Sequence, residues 1–235
     1  MKDATNKLDK SGKKHGQWVI KNKSGKKISE SNYSHGTKHG RETTYYSSGR
    51  KETICNYQKG ILHGAFCEYA DKPGSRVIRK GFYENGVKCG AWLESPEIGI
   101  DRCGEYITGE RSGVWTEQSA GKILRGVYIG GVKQGGWIGQ FVKGGLCYVG
   151  FYVNDVEDGE ILRYSSPGQL WIRETFSNGV RNGVFEEYFT SGRPCLKGTY
   201  KDGKKDGGWY DDNEGKPQHI VYREGKVVSK QAIKS

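Results

Sequence analysis

The chain has little aliphatic content and no segment suited to a long helix. Hydrophobic residues make up 34% of its 235 residues, with five prolines and one methionine. Its 37 glycines are so evenly spread that no glycine-free run between Gly12 and Gly225 exceeds 10 residues. Because a glycine costs about 1 kcal/mol inside a helix, this spacing excludes mostly helical folds, Rossmann folds and βα barrels.

Membrane-spanning and secretion signals are also lacking. No apolar run approaches the roughly 20 residues that cross a bilayer, and residues 1–14 lack the apolar core of a signal peptide. The six cysteines have no CxxC or CxxH spacing. We therefore expect a cytoplasmic protein with reduced thiols, no cofactor and no metal site.

The net charge of +11 is concentrated at the two ends of the chain. Residues 1–27 hold nine lysines and two aspartates, and residues 216–235 hold five basic residues and one glutamate. The stretch between them carries 24 basic and 24 acidic residues. A protein that follows a phosphate backbone would be basic along its length, so nucleic acid is a disfavoured partner.

Aromatic residues are abundant and regularly spaced, with 15 tyrosines and six tryptophans. They accompany a Gly-x-x-x-Gly hook that recurs every 22–26 residues, starting at Gly12 and Gly16. A tyrosine or phenylalanine stands three residues before most hooks, and a large residue stands two residues after them. Mid-repeat glycines such as Gly25 and Gly49 mark a second turn. Each repeat is therefore a β-hairpin that leads into the next one.

The repeat predicts an all-β fold, an elongated single-layer antiparallel β-meander of about nine hairpins and about 18 strands. Such a sheet has no second layer, so its stability must come from ladders of side chains across the strands. Aromatic pairs add roughly 0.2–1 kcal/mol each beyond an alanine pair. This explains a composition that is rich in aromatic and poor in aliphatic residues.

The pattern Gly-x-Trp-x-x-Tyr-x-x-x-Gly, followed by Tyr-x-x-Gly-x-x-x-Gly, resembles the MORN repeat. The resemblance is to the variant found in the bacterial YwqK-type antitoxin family, and residues 32–49 and 176–192 match best. It covers residues 12–226 in about nine units, preceded by a basic N-terminal arm at 1–11 and followed by a tail at 227–235. It implies a scaffold that binds another protein, in this family a toxin or effector that it neutralises.

No arrangement of residues points to catalysis. His15, His39 and His63 precede hook glycines in successive repeats, but equivalent positions lie about 10 Å apart, too far for one zinc ion. Neighbouring acidic residues such as Glu186 and Glu187 point to opposite faces of a strand. We therefore expect a protein that is not an enzyme.

The candidate partner-binding residues are the large aromatics of the repeat, because tyrosine and tryptophan are frequent interface anchors. They are Trp18, Tyr45, Tyr69, Trp92, Trp115, Trp137, Tyr164, Tyr188 and Trp209. The expected partner is another protein. The alternative is a scaffold at an anionic membrane surface, since MORN repeats elsewhere are associated with membranes and both termini are basic.

Overall fold

The computed structural model describes residues 5–212 and 215–233, and these residues form only strands, turns and bends. Every strand pair in this part of the chain is antiparallel, and most pairs join neighbours in sequence, for example β2 with β3 and β20 with β21. The pairs β5 with β7 and β14 with β16 each skip one two-residue strand. The predicted all-β antiparallel meander of hairpins is thus confirmed. No helix within 5–212 or 215–233 could cross a membrane.

The chain divides into two units, residues 1–113 and 114–235. The first unit holds ten complete strands and the start of an eleventh. They are β1 (Lys7–Leu8), β2 (Lys14–Lys21), β3 (Lys27–Ser34), β4 (Thr37–Tyr45), β5 (Lys51–Gln58), β6 (Ile61–Leu62), β7 (Gly64–Tyr69), β8 (Val77–Glu84), β9 (Val87–Glu97), β10 (Ile100–Ile107) and β11 (Glu110–Ser119).

The second unit begins within β11 and continues the same succession of hairpins. Its strands are β12 (Lys122–Ile129), β13 (Val132–Phe141), β14 (Leu146–Val153), β15 (Val156–Glu157), β16 (Gly159–Ser166), β17 (Gln169–Ser177), β18 (Val180–Tyr188), β19 (Pro194–Lys201), β20 (Lys204–Asp211), β21 (Gln218–Arg223) and β22 (Lys226–Ala232).

The described residues contain 22 strands where about 18 were expected. Two of the additional strands, β6 and β15, arise because His63 and Asp158 interrupt a longer strand just before a hook glycine. The backbone N–H of His63 still donates across the interruption to Asn56 O at 2.9 Å, and that of Asp158 donates to Phe151 O at 2.9 Å. These interruptions are therefore local bulges in otherwise continuous hairpins.

Residues of the predicted arm and tail also form strands. Lys7 and Leu8 pair with Lys14 and His15 of β2, and β22 pairs with β21 along most of its length. Residues 1–4 and 234–235 of these two segments lie outside the described residues.

The hook hairpins close through turns in which two successive residues have positive φ. Asn85 and Gly86 have φ of 50° and 83°, and Asn178 and Gly179 have φ of 49° and 77°. Two positive φ values in a two-residue loop are typical of a type I′ turn, which matches the right-handed twist of the strands. This backbone requirement explains why the hook glycines recur.

Candidate functional site

In three repeats the tryptophan that follows the hook lies flat on a glycine of the preceding strand. A Cβ atom added to Gly126 would lie 2.2 Å from Cδ2 of Trp137, and one added to Gly81 would lie 2.2 Å from Cδ2 of Trp92. Gly198 and Trp209 are related in the same way, at 2.1 Å. We call the side of the sheet that carries these rings the tryptophan face.

Tyrosines enclose each tryptophan from the sides. The rings of Tyr128 and Tyr152 meet Trp137 edge-on, with centroids at 5.4 and 6.0 Å. Trp209 lies in the same way between Tyr200 and Tyr222, at 5.1 and 6.0 Å. Edge-to-face contacts of this kind stabilise aromatic pairs beyond the effect of burial alone.

A lysine lies over the ring in each of the three repeats that have a glycine beneath the tryptophan, and in two of them a carboxylate holds that lysine. Lys133 Nζ lies 4.1 Å from the centroid of Trp137 and 3.1 Å from Glu117 Oε2. Lys88 Nζ lies 4.4 Å from the centroid of Trp92 and 2.5 Å from Glu94 Oε1. Burial tends to raise the pKa of Glu94, but Lys88 and the other polar neighbours outweigh it and lower that pKa.

These contacts leave the predicted tryptophans almost without contact to solvent. Trp115, Trp137 and Trp209 are 0% exposed and Trp92 is 3% exposed. Trp18 is half-buried, and its Nε1–H donates to Lys7 O at 3.0 Å. Four of the five predicted tryptophans are therefore core residues, each covered by its own repeat and the neighbouring one, and Trp18 is the exception.

The predicted tyrosines do not share the tryptophan face. Tyr45 O–H donates to Glu30 Oε2 at 2.7 Å, and Tyr188 O–H donates to Glu186 Oε2 at 2.6 Å. Glu186 is next to Phe185, so it points away from the tryptophan face. Burial, with a contribution from Glu186, raises the pKa of Tyr188 to about 12.

The other two tyrosines, Tyr69 and Tyr164, are also half-buried. The hydrogen bond to Cys67, followed by burial, raises the pKa of Tyr69. The nine predicted residues thus comprise four buried tryptophans, the half-buried Trp18 and four half-buried tyrosines. The structure does not bring them together into a single ladder.

The face opposite the tryptophans carries uncovered apolar side chains, and none of them is among the nine predicted binding residues. In the first unit Phe82 is 52% exposed and pairs with the small residue Ala65. Together with Ala91 and Leu93 these residues line a shallow groove of about 490 Å³.

The second unit also carries uncovered apolar side chains on the corresponding face. Ile138 follows Trp137 and is 51% exposed, and Phe151, opposite Gly136 in the sheet, is 47% exposed. Val114 precedes Trp115 and Val184 precedes Phe185, so both point to this same face. We call Val114, Ile138, Phe151 and Val184 the apolar strip of the second unit.

Charges of both signs lie beside the apolar strip on the same face. Arg173 Nε lies 2.6 Å from Glu160 Oε1, and Lys197 Nζ lies 3.0 Å from Glu186 Oε1. An exposed apolar surface with a polar rim is typical of a protein interaction site. The signal in the sequence is an apolar residue directly before or after a buried ring, as at Val114 beside Trp115 and Ile138 beside Trp137.

One separate cluster has the donor atoms of a metal site. Asp9, His15 and His35 bring one ligand atom each to within 4.8 Å of one another. The sequence predicted no metal site, because its cysteines lack CxxC or CxxH spacing and the equivalent histidines of successive repeats lie too far apart. This cluster combines Asp9 of the predicted N-terminal arm with histidines at two different positions of the repeat.

A family model described as a MORN repeat variant matches residues 38–59, which extend from β4 through β5. This match supports a MORN-repeat protein, in agreement with the resemblance that the sequence pattern indicated. A search of curated proteins found no match to the chain.

Proposed function

We propose that this chain is a non-enzymatic scaffold that binds a partner protein through the face opposite its tryptophans. The observation that supports this function is the contrast between the two faces. The tryptophan face covers its own rings to 0–3% exposure, whereas Ile138 and Phe151 on the other face remain 51% and 47% exposed. A general role as a binding module agrees with the MORN repeat match, because such repeats are generally protein- or membrane-binding modules.

The charges beside the apolar strip favour a protein over a membrane as the partner. An anionic membrane attracts surfaces that are predominantly basic. Beside the strip, however, Arg173 and Lys197 are already paired with Glu160 and Glu186. We expect a folded partner that presents an apolar ridge flanked by charges of both signs.

The finer proposal is that the partner is a toxin or a related effector. It is supported by the resemblance of the repeat to the YwqK-type antitoxin family. The mechanism would be steric, with the sheet covering the active surface of the toxin. Such a function needs no catalytic residue and no cofactor, and it takes place in the cytoplasm.

The test is affinity purification of the full chain from its native host at mild salt, with mass spectrometry of the proteins that co-elute. It compares the wild-type chain with the double variant Ile138→Asp/Phe151→Asp. The control is Thr175→Asp, which adds a carboxylate to the same face outside the apolar strip. Circular dichroism and urea unfolding establish that all three proteins are folded.

The proposal expects one stoichiometric protein that the control retains and the double variant loses. Equal retention by all three proteins would place the partner elsewhere on the surface. Recovery of only lipid or nucleic acid would overturn protein binding, as would a second copy of this chain as the only partner. Relief of toxicity on co-expression, lost in the double variant, would establish the antitoxin role.

A further inference from the structure

Three separate segments meet at the cluster of Asp9, His15 and His35. Asp9 follows β1, His15 lies in β2, and His35 is the first residue of the type I′ turn between β3 and β4. Backbone contacts hold these segments together. Lys7 pairs with His15, and Gly36 N–H donates to Lys14 O at 2.8 Å.

The carboxylate of Asp9 is held in a defined orientation. Its Oδ1 accepts hydrogen bonds from the backbone N–H groups of Ser11 and Lys13, both at 2.9 Å. The remaining oxygen, Oδ2, lies 2.7 Å from Nδ1 of His35. The side chain of Asp9 is only 10% exposed, so this oxygen is presented from a nearly fixed position.

The two imidazole rings face this oxygen from neighbouring hairpins. Their centroids are 5.0 Å apart, and the side chain of His35 is 72% exposed. Ligands of tetrahedral zinc lie about 2.0–2.2 Å from the metal, which places them about 3.3 Å from one another. Small rotations of exposed imidazoles are sufficient to bring a spread of at most 4.8 Å to this distance.

We propose that Asp9, His15 and His35 form a binding site for a divalent transition metal, with Zn²⁺ as the preferred ion. Two imidazole nitrogens and one carboxylate oxygen are a donor set typical of zinc, whereas Mg²⁺ and Ca²⁺ prefer oxygen ligands. The exposure of the cluster leaves at least one coordination position to water. Binding would fasten the segment after β1 to the first two hairpins.

The test is isothermal titration of the full, untagged chain with ZnCl₂, and the absorption spectrum of bound Co²⁺ as an independent readout. We expect saturable binding with a stoichiometry of one and Co²⁺ bands typical of four or five ligands. Mg²⁺ in the same titration should give no saturable heat. Zn²⁺ should also raise the melting temperature, because an ion that binds only the folded state stabilises it.

Two variants separate metal binding from folding. His35→Asn removes an imidazole but places asparagine, which readily adopts positive φ, where φ is 47°. This variant should fold at least as stably as the wild-type chain, yet bind Zn²⁺ at least about tenfold more weakly. His15→Gln should show the same loss of affinity.

The controls are His39→Gln, which removes a histidine outside the cluster, and Lys59→Asn, which changes the equivalent turn residue of the next repeat. Both should bind Zn²⁺ like the wild-type chain. If the two cluster variants bind as tightly as these controls, the proposal is wrong. It is also overturned if the wild-type chain shows no saturable binding, or if Co²⁺ gives only the spectrum of the hydrated ion.

Discussion

Two repeats, one in each unit, fill the same position with opposite chemistry. In the second unit Trp137 lies on Gly126 and is 0% exposed. In the first unit Glu42 stands at the same distance after its hook, and it is 6% exposed. Both residues are thus buried at this position, and each needs a different set of neighbours.

Glu42 is satisfied by polar neighbours in place of aromatic ones. Ser31 Oγ–H donates to its Oε1 at 2.7 Å, and Lys38 Nζ lies 2.6 Å from the same oxygen. Burial tends to raise the pKa of Glu42, but the hydrogen bonds from Lys38 and Ser31 outweigh it and lower that pKa. A carboxylate in a row that elsewhere holds aromatics therefore requires a cation and a hydroxyl beside it.

The largest expected effect comes from the glycine beneath Trp137. Gly126→Ala should lower the free energy of unfolding by about 3 kcal/mol, because the new methyl group overlaps the indole ring. Gly136→Ala is the matched control, since nothing lies within 4 Å of its added Cβ atom. It should change stability by at most about 0.5 kcal/mol. Urea unfolding of both variants measures the difference, and equal effects would refute the role of close approach at Gly126.

A second, smaller effect is expected at Glu174. This residue occupies the repeat position that Gly126 occupies in its own repeat, two residues before the aromatic residue ahead of the hook. Its Oε1 and Oε2 bind Nε of Arg163 and Nε of Arg181 at 2.9 and 2.8 Å, and it is 2% exposed. Glu174→Gln should cost about 2 kcal/mol in urea unfolding, because Arg181 loses its carboxylate partner and Arg163 is left with Glu157.

The control for Glu174 is Glu160→Gln, which breaks the exposed pair with Arg173. Exposed ion pairs contribute little, so this variant should lose about 0.5 kcal/mol or less. A loss at Glu160 as large as that at Glu174 would mean that burial does not distinguish the two carboxylates.

Acid should weaken the stabilisation that Glu42 provides, because this stabilisation depends on the negative charge of its carboxylate. The pKa of Glu42 in the folded chain lies below its ordinary value of 4.5, so its stabilising effect is present above pH 4.5 and lost as pH falls through the folded pKa. Glu42→Gln should therefore cost about 1 kcal/mol at pH 7 and progressively less below pH 4.5. Urea midpoints of both proteins between pH 7 and 3 give this difference, and a constant difference would contradict the prediction.

The smallest effect concerns the type I′ turns, which both units share. Thr108 has φ of 50°, which is unfavourable for a β-branched residue, whereas Asn178 occupies the equivalent position at 49°. Thr108→Asn should raise stability by about 0.5 kcal/mol, and Asn178→Thr should lower it by a similar amount. Thermal unfolding of the two variants provides the measurement. Changes of the same sign would show that turn preference does not control these hairpins.

The repeat pattern predicted the hairpins and the position of the large residues correctly, because turns and strand alternation are local properties. It did not predict that Trp92, Trp137 and Trp209 would be enclosed. Their burial depends on a glycine in the preceding strand and a lysine four residues earlier, which meet the ring only when the strands pair in register. The sequence pattern also did not predict the apolar strip. Its members are smaller residues between the recurring aromatics, and their exposure depends on which face of the sheet is covered.

By itself, the sequence determined the all-β class, the period of the hairpins and the positions of the type I′ turns. Glycine spacing and strand alternation act over a few residues, so they can be interpreted without knowledge of the fold. Only the tertiary structure decided which face covers itself and which apolar side chains remain uncovered. It also decided that Asp9, His15 and His35 meet. These outcomes depend on strand register and turn stacking, which join residues about 6 to 26 positions apart.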